Sequence, residues 1–216
     1  MQKCDGSVDQ GKAGRRGRPR AFDRDAALTA AMHLFWAKGY SAASVADLTA
    51  AMGIGAPSLY AAFGSKEALY AEALNQYLKT NEATAWGGFF AADSARGAAA
   101  AFLYDTARGL SQACNGCMVT LSAAGAEGNE TLGALVASAR HETVVRLEKR
   151  IVQAQATGEI AASVDAHGLA RFVQAVQNGM SILARDGAAL EDLFAVAETA
   201  MLGWDARTGG RAVPLP

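Results

Sequence analysis

The stretch GIGAPSLYAAFGSKEAL, residues 53–69, contains two helix starts separated by a single glycine. Proline is tolerated in the first turn of a helix, so the first helix is predicted to begin at Ala56 or Pro57. Gly64 interrupts this helix, and Ser65 opens the next one as its N-cap. The stretch therefore predicts a helix of about two turns that is followed directly by a longer helix.

Two further helices are predicted before this stretch. Asp23 can cap a first helix that ends at Gly39, because glycine is favoured just after a helix C-terminus. Ser44 can cap a second helix, VADLTAAM, in which Asp47 completes a capping box and which ends at Gly53. Three such helices, the last two joined by a tight turn that contains glycine, are typical of a helix-turn-helix. The last helix of that motif enters the major groove of DNA.

The side chains around this helix pair suit contact with DNA. Ser58 and Tyr60 are predicted to project from the third helix, where their hydroxyls can bond a phosphate or a base edge. Ser44 and Lys66 lie at the starts of the second and fourth helices, where free backbone N–H groups and the helix dipole favour a phosphate. Taken singly, each of these residues has an ordinary structural interpretation as a cap, a half-buried aromatic or a solvated charge. Their combination indicates DNA binding.

The positive charge of the chain is concentrated near its N-terminus. The 216 residues carry a net charge of -1, yet between Lys12 and Arg24 there are six basic residues and a single acid, Asp23. Residues 1–21 are rich in Gly, Lys and Arg and lack hydrophobic periodicity, so they are predicted to form a flexible arm. Such an arm either contacts a polyanion such as nucleic acid or is a solvated tail.

The N-terminal sequence resembles a known family. The segments GRPR, FDRDAALTAAMHLFWAKGY and SVADLTAAMGIGAPSLYAAFGSKEALY are similar to the N-terminal domain of TetR-family transcriptional regulators over its full length, residues 22–77. The resemblance implies an all-helical homodimer that binds a palindromic double-stranded DNA operator. It also implies that the protein releases the operator when a small-molecule effector occupies its C-terminal domain.

The resemblance carries DNA-binding roles to individual positions. The residues expected at the DNA are Arg18, Arg20, Ser44, Ala56, Pro57, Ser58, Tyr60, Ala61 and Lys66. The two arginines belong to the arm and are expected near a neighbouring groove or the DNA backbone. Gly55, Pro57 and Ala61 replace the Ser or Thr, the Gly and the aromatic or His residues that many members carry. Ala56, Pro57 and Ala61 are therefore expected to contact thymine methyls, with further readout through DNA shape.

The rest of the chain is predicted to be all-α as well. Helices are expected at about 94–111, 117–125, 129–157, 165–184 and 189–206, with a loop or frayed join at WGGFFAAD, residues 86–93. The last two helices carry more apolar residues than one bundle face needs, and we assign the surplus to a dimer interface. The predicted regions are a flexible arm at 1–21, a three-helix DNA-binding domain with its linking fourth helix at 22–84, a helical ligand-binding and dimerisation bundle at 85–208, and a disordered tail at 209–216.

A pocket for the effector is expected between the remaining helices of this bundle. The candidate lining residues form a mostly apolar set with few polar groups: Phe89, Phe102, Tyr104, Cys117, Met118, His141 and Gln177. Ligand pockets usually have this composition. For each residue the competing interpretation is ordinary packing in a helical core, or a solvated side chain in the case of His141.

The motif CNGC, Cys114 to Cys117, supports an alternative kind of sensing. Two cysteines at this spacing near a helix N-terminus can have a lowered thiolate pKa and form a disulfide, which would make the protein a redox or electrophile sensor. The other interpretation is that the two cysteines are small hydrophobic residues buried in the core. A zinc site with a distant His is disfavoured because a second close ligand pair is missing. The odd number of cysteines, three, argues against a disulfide framework.

Other classes of function lack sequence support. No nucleophile with a base, carboxylate pair or glycine-rich phosphate loop occurs at usable spacing, so neither an enzyme nor a cofactor is predicted. A purely architectural DNA-binding role is disfavoured because more than half of the chain forms a separate bundle. No signal peptide or apolar stretch of 18 residues is found, which predicts a cytoplasmic protein without a membrane partner. The function predicted is a transcriptional regulator, most simply a repressor.

Overall fold

The computed structural model describes residues 22–113 and 115–209. Over these residues the only regular elements are helices, and the all-α prediction is confirmed. The predicted arm with Arg18 and Arg20, Cys114 of the CNGC motif and residues 210–216 of the tail lie outside the described residues. The helices are α1 (Arg24–Lys38), α2 (Val45–Met52), α3 (Ala56–Phe63), α4 (Lys66–Ala91), α5 (Ala95–Ala113), α6 (Met118–Leu121), α7 (Glu130–Ala156), α8 (Ala166–Arg185) and α9 (Leu190–Thr208).

The first three helices begin and end, and the fourth begins, where their local sequence signals predict. The carboxylate of Asp23 accepts two backbone N–H groups of the first turn of α1. Ser44 and Asp47 form the predicted capping box, with reciprocal backbone-to-side-chain distances of 3.1 Å. Gly53 ends α2 with a φ of 65°, a left-handed conformation that glycine adopts without strain. Ser65 caps α4 through a 3.1 Å bond from the third amide of that helix.

The N-terminal module, made of α1, α2, α3 and the first half of α4, has a core that it shares with the C-terminal half. Phe35, Leu48 and Leu59 from α1, α2 and α3 are fully buried in it together with the first half of α4. Met118 of α6 and Leu132 of α7 belong to the same cluster of buried side chains. The module is therefore packed against the bundle and is not connected to it through α4 alone.

Helix α4 is longer than predicted. It runs without a break through WGGFF to Ala91 and ends at Ala92. The prediction of a loop or frayed join at residues 86–93 is therefore wrong. Gly88 explains the difference, because a Cβ there would overlap Oδ2 of Asp105 and lie 3.0 Å from the Cβ of Ala101. The glycine permits a close approach between α4 and α5 and does not end the helix.

A pair of glycines in α4 provides a test of this explanation. Gly88→Ala is expected to lower the free energy of unfolding by about 1–3 kcal/mol, because the added methyl overpacks the contact with α5. Its neighbour Gly87 is the matched control: a Cβ there meets no heavy atom within 4 Å. Gly87→Ala should stabilise the helix by up to about 1 kcal/mol. Urea unfolding followed by circular dichroism measures both, and equal stability of the two variants would contradict the packing role of Gly88.

The bundle of α5, α7, α8 and α9 has its own core. Leu103, Leu147 and Met180 are fully buried there, and a bidentate ion pair of 2.6 and 2.8 Å joins Arg96 at the start of α5 to Asp205 near the end of α9. Asp205 is only 4% exposed, so the arginine supplies the partner that a buried carboxylate requires. Across the described parts of the chain, no helix combines the length and apolar character needed to cross a membrane.

The segment expected to be helical at about 117–125 is helical only in α6. The guanidinium of Arg140 accounts for this difference, since it donates to the carbonyl oxygens of Val119, Thr120 and Ser122 at 2.7–3.0 Å. A longer helix would need these oxygens for its own backbone bonds. The other four C-terminal helices agree with their predicted spans to within about two residues, the usual uncertainty of helix ends.

Candidate nucleic-acid interface

Helix α3 has one buried face and one exposed face. Leu59 and Phe63 are buried in the module core, which fixes how the helix is rotated. Pro57, Ser58 and Ala61 are exposed on the other side, and Tyr60 is exposed over 47% of its surface. Ala56 is half-buried. The residues predicted to read bases therefore lie together on the free face of α3.

Helix α3 begins without a side-chain cap. Its N-cap, Gly55, provides no side-chain hydrogen bond, and Pro57 occupies the first turn. The φ of -65° that proline prefers suits the helix start, and its missing N–H is one that would have had no partner within the helix. The N-terminal end of α3 thus presents a smooth, apolar surface beside the Ser58 hydroxyl.

The start of α2 carries a balanced pair of charges. Ser44 is exposed, and its hydroxyl donates to Asp47 at 2.8 Å. The hydrogen bonds from Ser44, and then the Lys38 ammonium 3.2 Å away, lower the pKa of the Asp47 carboxyl. The carboxylate that completes the cap is therefore paired with a cation, which limits its repulsion of a nearby phosphate.

Lys66, at the start of α4, is positioned by an aromatic ring. Its Nζ lies 4.4 Å from the ring centroid of Tyr40, a cation–π distance. Tyr40 in turn donates its hydroxyl to Glu67 at 2.6 Å. Burial, and then the hydrogen bond to the Glu67 carboxylate, raise the pKa of Tyr40 to about 12, so the ring stays neutral at ordinary pH. Lys66 as a whole is half-buried.

Arg24 is part of the module and not of a free basic run. Its Nη2 lies 2.8 Å from both carboxylate oxygens of Glu72 and 3.3 Å from the carbonyl of Ala62. The guanidinium also stacks 4.3 Å from the ring centroid of Phe63. Arg24 therefore joins α1, α3 and α4. It holds α3 in place against the other two helices and does not extend the positive charge of the arm.

Side-chain bonds connect the module to the segment between α5 and α7. The indole of Trp36 donates to the carbonyl of Gly116 at 2.8 Å. The hydroxyls of Tyr70 and Ser122 are 2.8 Å apart, and Ser41 donates to a carboxylate oxygen of Glu127 at 2.7 Å. Movement of this segment would therefore act directly on α1 and α4.

A pocket lies next to these connections. Its walls come from α4, α5, α7 and α8 and from the end of α1, and the space between its atoms is about 850 Å³, including the part open to solvent. Among the residues that the structure describes, no group of three or more His, Cys, Asp or Glu side chains is placed to hold a metal ion. The residues that line the pocket include Trp36, Tyr77, Trp86, Phe102, Thr106 and Cys117.

Comparison with known proteins identifies the family. The family model described as bacterial regulatory proteins, tetR family, matches residues 27–73. The HTH-type transcriptional repressor ComR of Escherichia coli K12 is 39% identical over 199 residues, which cover 88% of this chain and 92% of ComR. The TetR family regulator CifR, solved as a cysteine mutant with 26-bp double-strand operator DNA, is 41% identical. The chain belongs to the TetR family.

The likeness to these TetR-family proteins extends beyond the DNA-binding module. The CifR comparison has a TM-score of 0.81 and covers 87% of this chain and 100% of CifR. The HTH-type transcriptional repressor BdcR of Escherichia coli K12 is 45% identical over 106 residues, which cover 48% of this chain and 53% of BdcR. The protein is thus a DNA-binding transcriptional regulator whose relatives include repressors.

The pocket of this TetR-family regulator contains some of the residues expected there. Phe102, Cys117 and Gln177 line it. The other four candidates are placed elsewhere: Phe89 and Met118 are buried in the two cores, Tyr104 packs 5.1 Å from Phe194 between ring centroids, and His141 is exposed.

The sequence reasoning also missed four aromatic residues. Trp36, Tyr77 and Trp86 line the pocket, and Tyr40 positions Lys66. Apolar spacing marks such residues as buried but does not separate a cavity wall from a packed core. The K-G-Y end of α1, at residues 38–40, was the signal available for Tyr40.

Proposed function

We propose that the protein is a repressor that binds a palindromic operator as a homodimer and releases it when a small molecule occupies the pocket. The observation that carries the proposal is the exposed face of α3, whose opposite face is fixed by the buried Leu59 and Phe63. A rigid helix with Ser58, Tyr60 and Ala61 exposed together is suited to the major groove. The related regulator CifR, solved with operator DNA, supports the proposal that this protein binds double-stranded DNA.

Contacts to the phosphate backbone position α3, and contacts to base edges give sequence preference. Ser44 at the start of α2 and Lys66 at the start of α4 are proposed to bind phosphates on either side of the groove. Tyr60 and Ser58 offer hydroxyls to phosphates or bases. Pro57 and Ala61, with Ala56, contact thymine methyls, so that readout depends on apolar contacts and DNA shape.

Helices α8 and α9 are proposed to form the dimer interface. One face of α8 is exposed or half-exposed and carries apolar residues at helical spacing: Phe172, Val176 and Leu183. On α9 the exposed residues Thr199 and Leu202 lie on a similar stripe. The Phe172 ring reaches across to Gly203, where a Cβ would lie 3.5 Å from Cζ, so the stripes form one surface. An apolar patch that continues over two helices suits self-complementary pairing.

The effector is proposed to act on both recognition helices through the pocket. Trp36 of α1 and Tyr77 of α4 are elements of the DNA-binding module that also line the pocket. A ligand that moves either of them shifts α3 relative to the dimer interface. Because the two half-sites are about 34 Å apart, roughly one DNA turn, a conformation with a different helix spacing binds the operator less well.

A gel-shift titration tests the proposed function. The protein is titrated onto DNA from immediately upstream of its own gene, at two salt concentrations, with unrelated DNA of equal length as the control. We expect a complex of two chains per site that unrelated DNA does not displace. A complex that forms equally on both DNAs would contradict operator recognition.

One observation favours thiol sensing as a second candidate function. Cys117 is half-buried in the pocket wall. Tyr77 of α4 lines the same pocket, and burial, and then the neighbouring Cys117 side chain, raise the pKa of its hydroxyl. Oxidation of Cys117 would therefore act at the same place as a bound effector.

Substitution of this cysteine distinguishes the two modes of release. Cys117→Ser is expected to bind the operator as well as the unchanged protein in the absence of oxidant, because serine preserves the size of the side chain. If thiol oxidation is the signal, peroxide or diamide releases the unchanged protein and not the variant. Cys4→Ser is the matched control and should respond like the unchanged protein. Release of the Cys117 variant by oxidant would refute this second function.

A further inference from the structure

One buried hydroxyl in the pocket wall is without a hydrogen-bond partner in the described part of the chain. Thr106 on α5 is 8% exposed, and its Oγ1 meets neither a donor nor an acceptor there. Buried polar side-chain atoms are nearly always paired, because an unpaired group forfeits its bonds to water without replacement. Thr106 lines the pocket. Oγ1 itself has almost no accessible surface, so a molecule that enters the pocket must turn the Thr106 side chain to reach the hydroxyl.

The charged side chains of the pocket wall, by contrast, are all engaged within the described residues. Glu82 pairs with Arg146 at 2.5 Å, and Asp105 pairs with Arg108 at 2.8 Å. Arg140 donates to three backbone carbonyl oxygens. No free charge in this set is placed to neutralise an ionised ligand, and an unpaired charge is costly to bury. The pocket thus selects against charged molecules.

The remaining walls include four aromatic rings, beside aliphatic residues and uncharged polar side chains such as Asn81, Gln177 and Asn178. Trp36 and Tyr77 meet edge to face with their ring centroids 5.0 Å apart. Trp86 and Phe102 form a second pair at 4.4 Å. Large apolar surfaces of this kind suit a planar, apolar body, while a small number of polar groups fix its orientation.

We propose that the pocket binds an uncharged, largely aromatic small molecule that directs one hydrogen-bonding group to Oγ1 of Thr106. This inference deepens the proposed function: it names the chemical class of the effector and rests on the proposed function for the release of DNA. Binding itself is a property of the free protein and is measured without operator. Thr106 is a specificity-determining residue in this proposal.

Three molecules of matched shape test the proposal. Acetophenone, cumene and benzoate each carry a benzene ring with a three-atom branched substituent, and they differ in offering a carbonyl, no polar group or a charge. Calorimetric titration of the full-length protein is expected to give acetophenone a roughly tenfold higher affinity than cumene, the value of one hydrogen bond. Benzoate is expected to bind more weakly than either.

Variants of Thr106 assign the preference to the hydroxyl. Thr106→Val keeps the shape and removes the hydroxyl, so acetophenone should lose its advantage over cumene. The Tm of the free variant should rise, because an unpaired buried hydroxyl is gone. Thr106→Ser retains the hydroxyl and should retain the preference, which keeps the test valid if the valine variant folds poorly. Thr143→Val, at a half-buried threonine in the same wall, is the matched control and should also retain it.

Several results would overturn the proposal. The first is equal affinity for acetophenone and cumene, which is the result if water already satisfies the hydroxyl. The second is an acetophenone preference that survives in Thr106→Val. The others are tightest binding by benzoate and no binding by any of the three molecules. Gel shifts with the same preparation separate the two proposals. Thr106-dependent binding by a protein that fails to bind its operator would refute the proposed function alone, and operator binding without any binding of the three molecules would refute this inference alone.

Discussion

Leu202→Arg is expected to convert the proposed dimer to a monomer and to weaken operator binding by about 100-fold or more, since the two half-sites then bind independently. Leu202 is 57% exposed in the single chain and belongs to the proposed interface on α8 and α9. In a dimer related by a twofold axis, one substitution places two cations in the same interface. Burying them without partners opposes association, whereas the isolated chain tolerates an exposed arginine.

Sedimentation equilibrium and gel shift measure the two consequences of this change. Val152→Arg is the matched control, because Val152 is 50% exposed on α7, away from the α8 and α9 stripes. The control should remain dimeric and bind DNA normally. A Leu202→Arg protein that remains a dimer at micromolar concentration would place the interface elsewhere on the molecule.

Ser58→Glu is expected to abolish specific operator binding, with a loss of about 100-fold or more from the repulsion between a carboxylate and the phosphates. The fold should not suffer. Ser58 is exposed at the third position of α3. At this position the helix dipole stabilises a glutamate carboxylate, which can also accept a hydrogen bond from the backbone amide of Gly55. The change therefore separates DNA recognition from stability.

The same charge change placed elsewhere controls for net charge. Ser163→Glu introduces a glutamate at an exposed position between α7 and α8, and it should leave both the operator affinity and the Tm unchanged. The Tm of Ser58→Glu should equal or exceed that of the unchanged protein. Normal operator binding by Ser58→Glu would show that α3 does not enter the groove.

The DNA-binding module was predictable because its signals are local. Asp23, Ser44 and Ser65 cap helices through side-chain bonds to amides two or three residues away, and Gly53 and Gly64 end helices by adopting positive φ. Each of these interactions lies within one turn of chain. The sequence of the turn therefore contains the information that determines it.

The errors arose where distant residues decide the structure. Gly88 looks like a helix breaker, yet its role depends on Asp105, which is adjacent only after α4 and α5 pack. Likewise, Phe102 lines the pocket while Phe89 is in the core, although both lie at apolar helical spacing. Hydrophobic periodicity identifies the buried face of a helix, but whether that face meets a neighbour or a cavity depends on the whole bundle.

The shared core of the module has a consequence for how the chain unfolds. Met118 and Leu132 from the C-terminal half complete the cluster around Phe35 and Leu48. Melting either half exposes apolar surface on the other, so the two halves are thermodynamically coupled and lose structure together rather than in separate steps. A ligand that stabilises the bundle therefore also protects the DNA-binding half against heat, and the proposed effector would do so while lowering the affinity of that half for its operator.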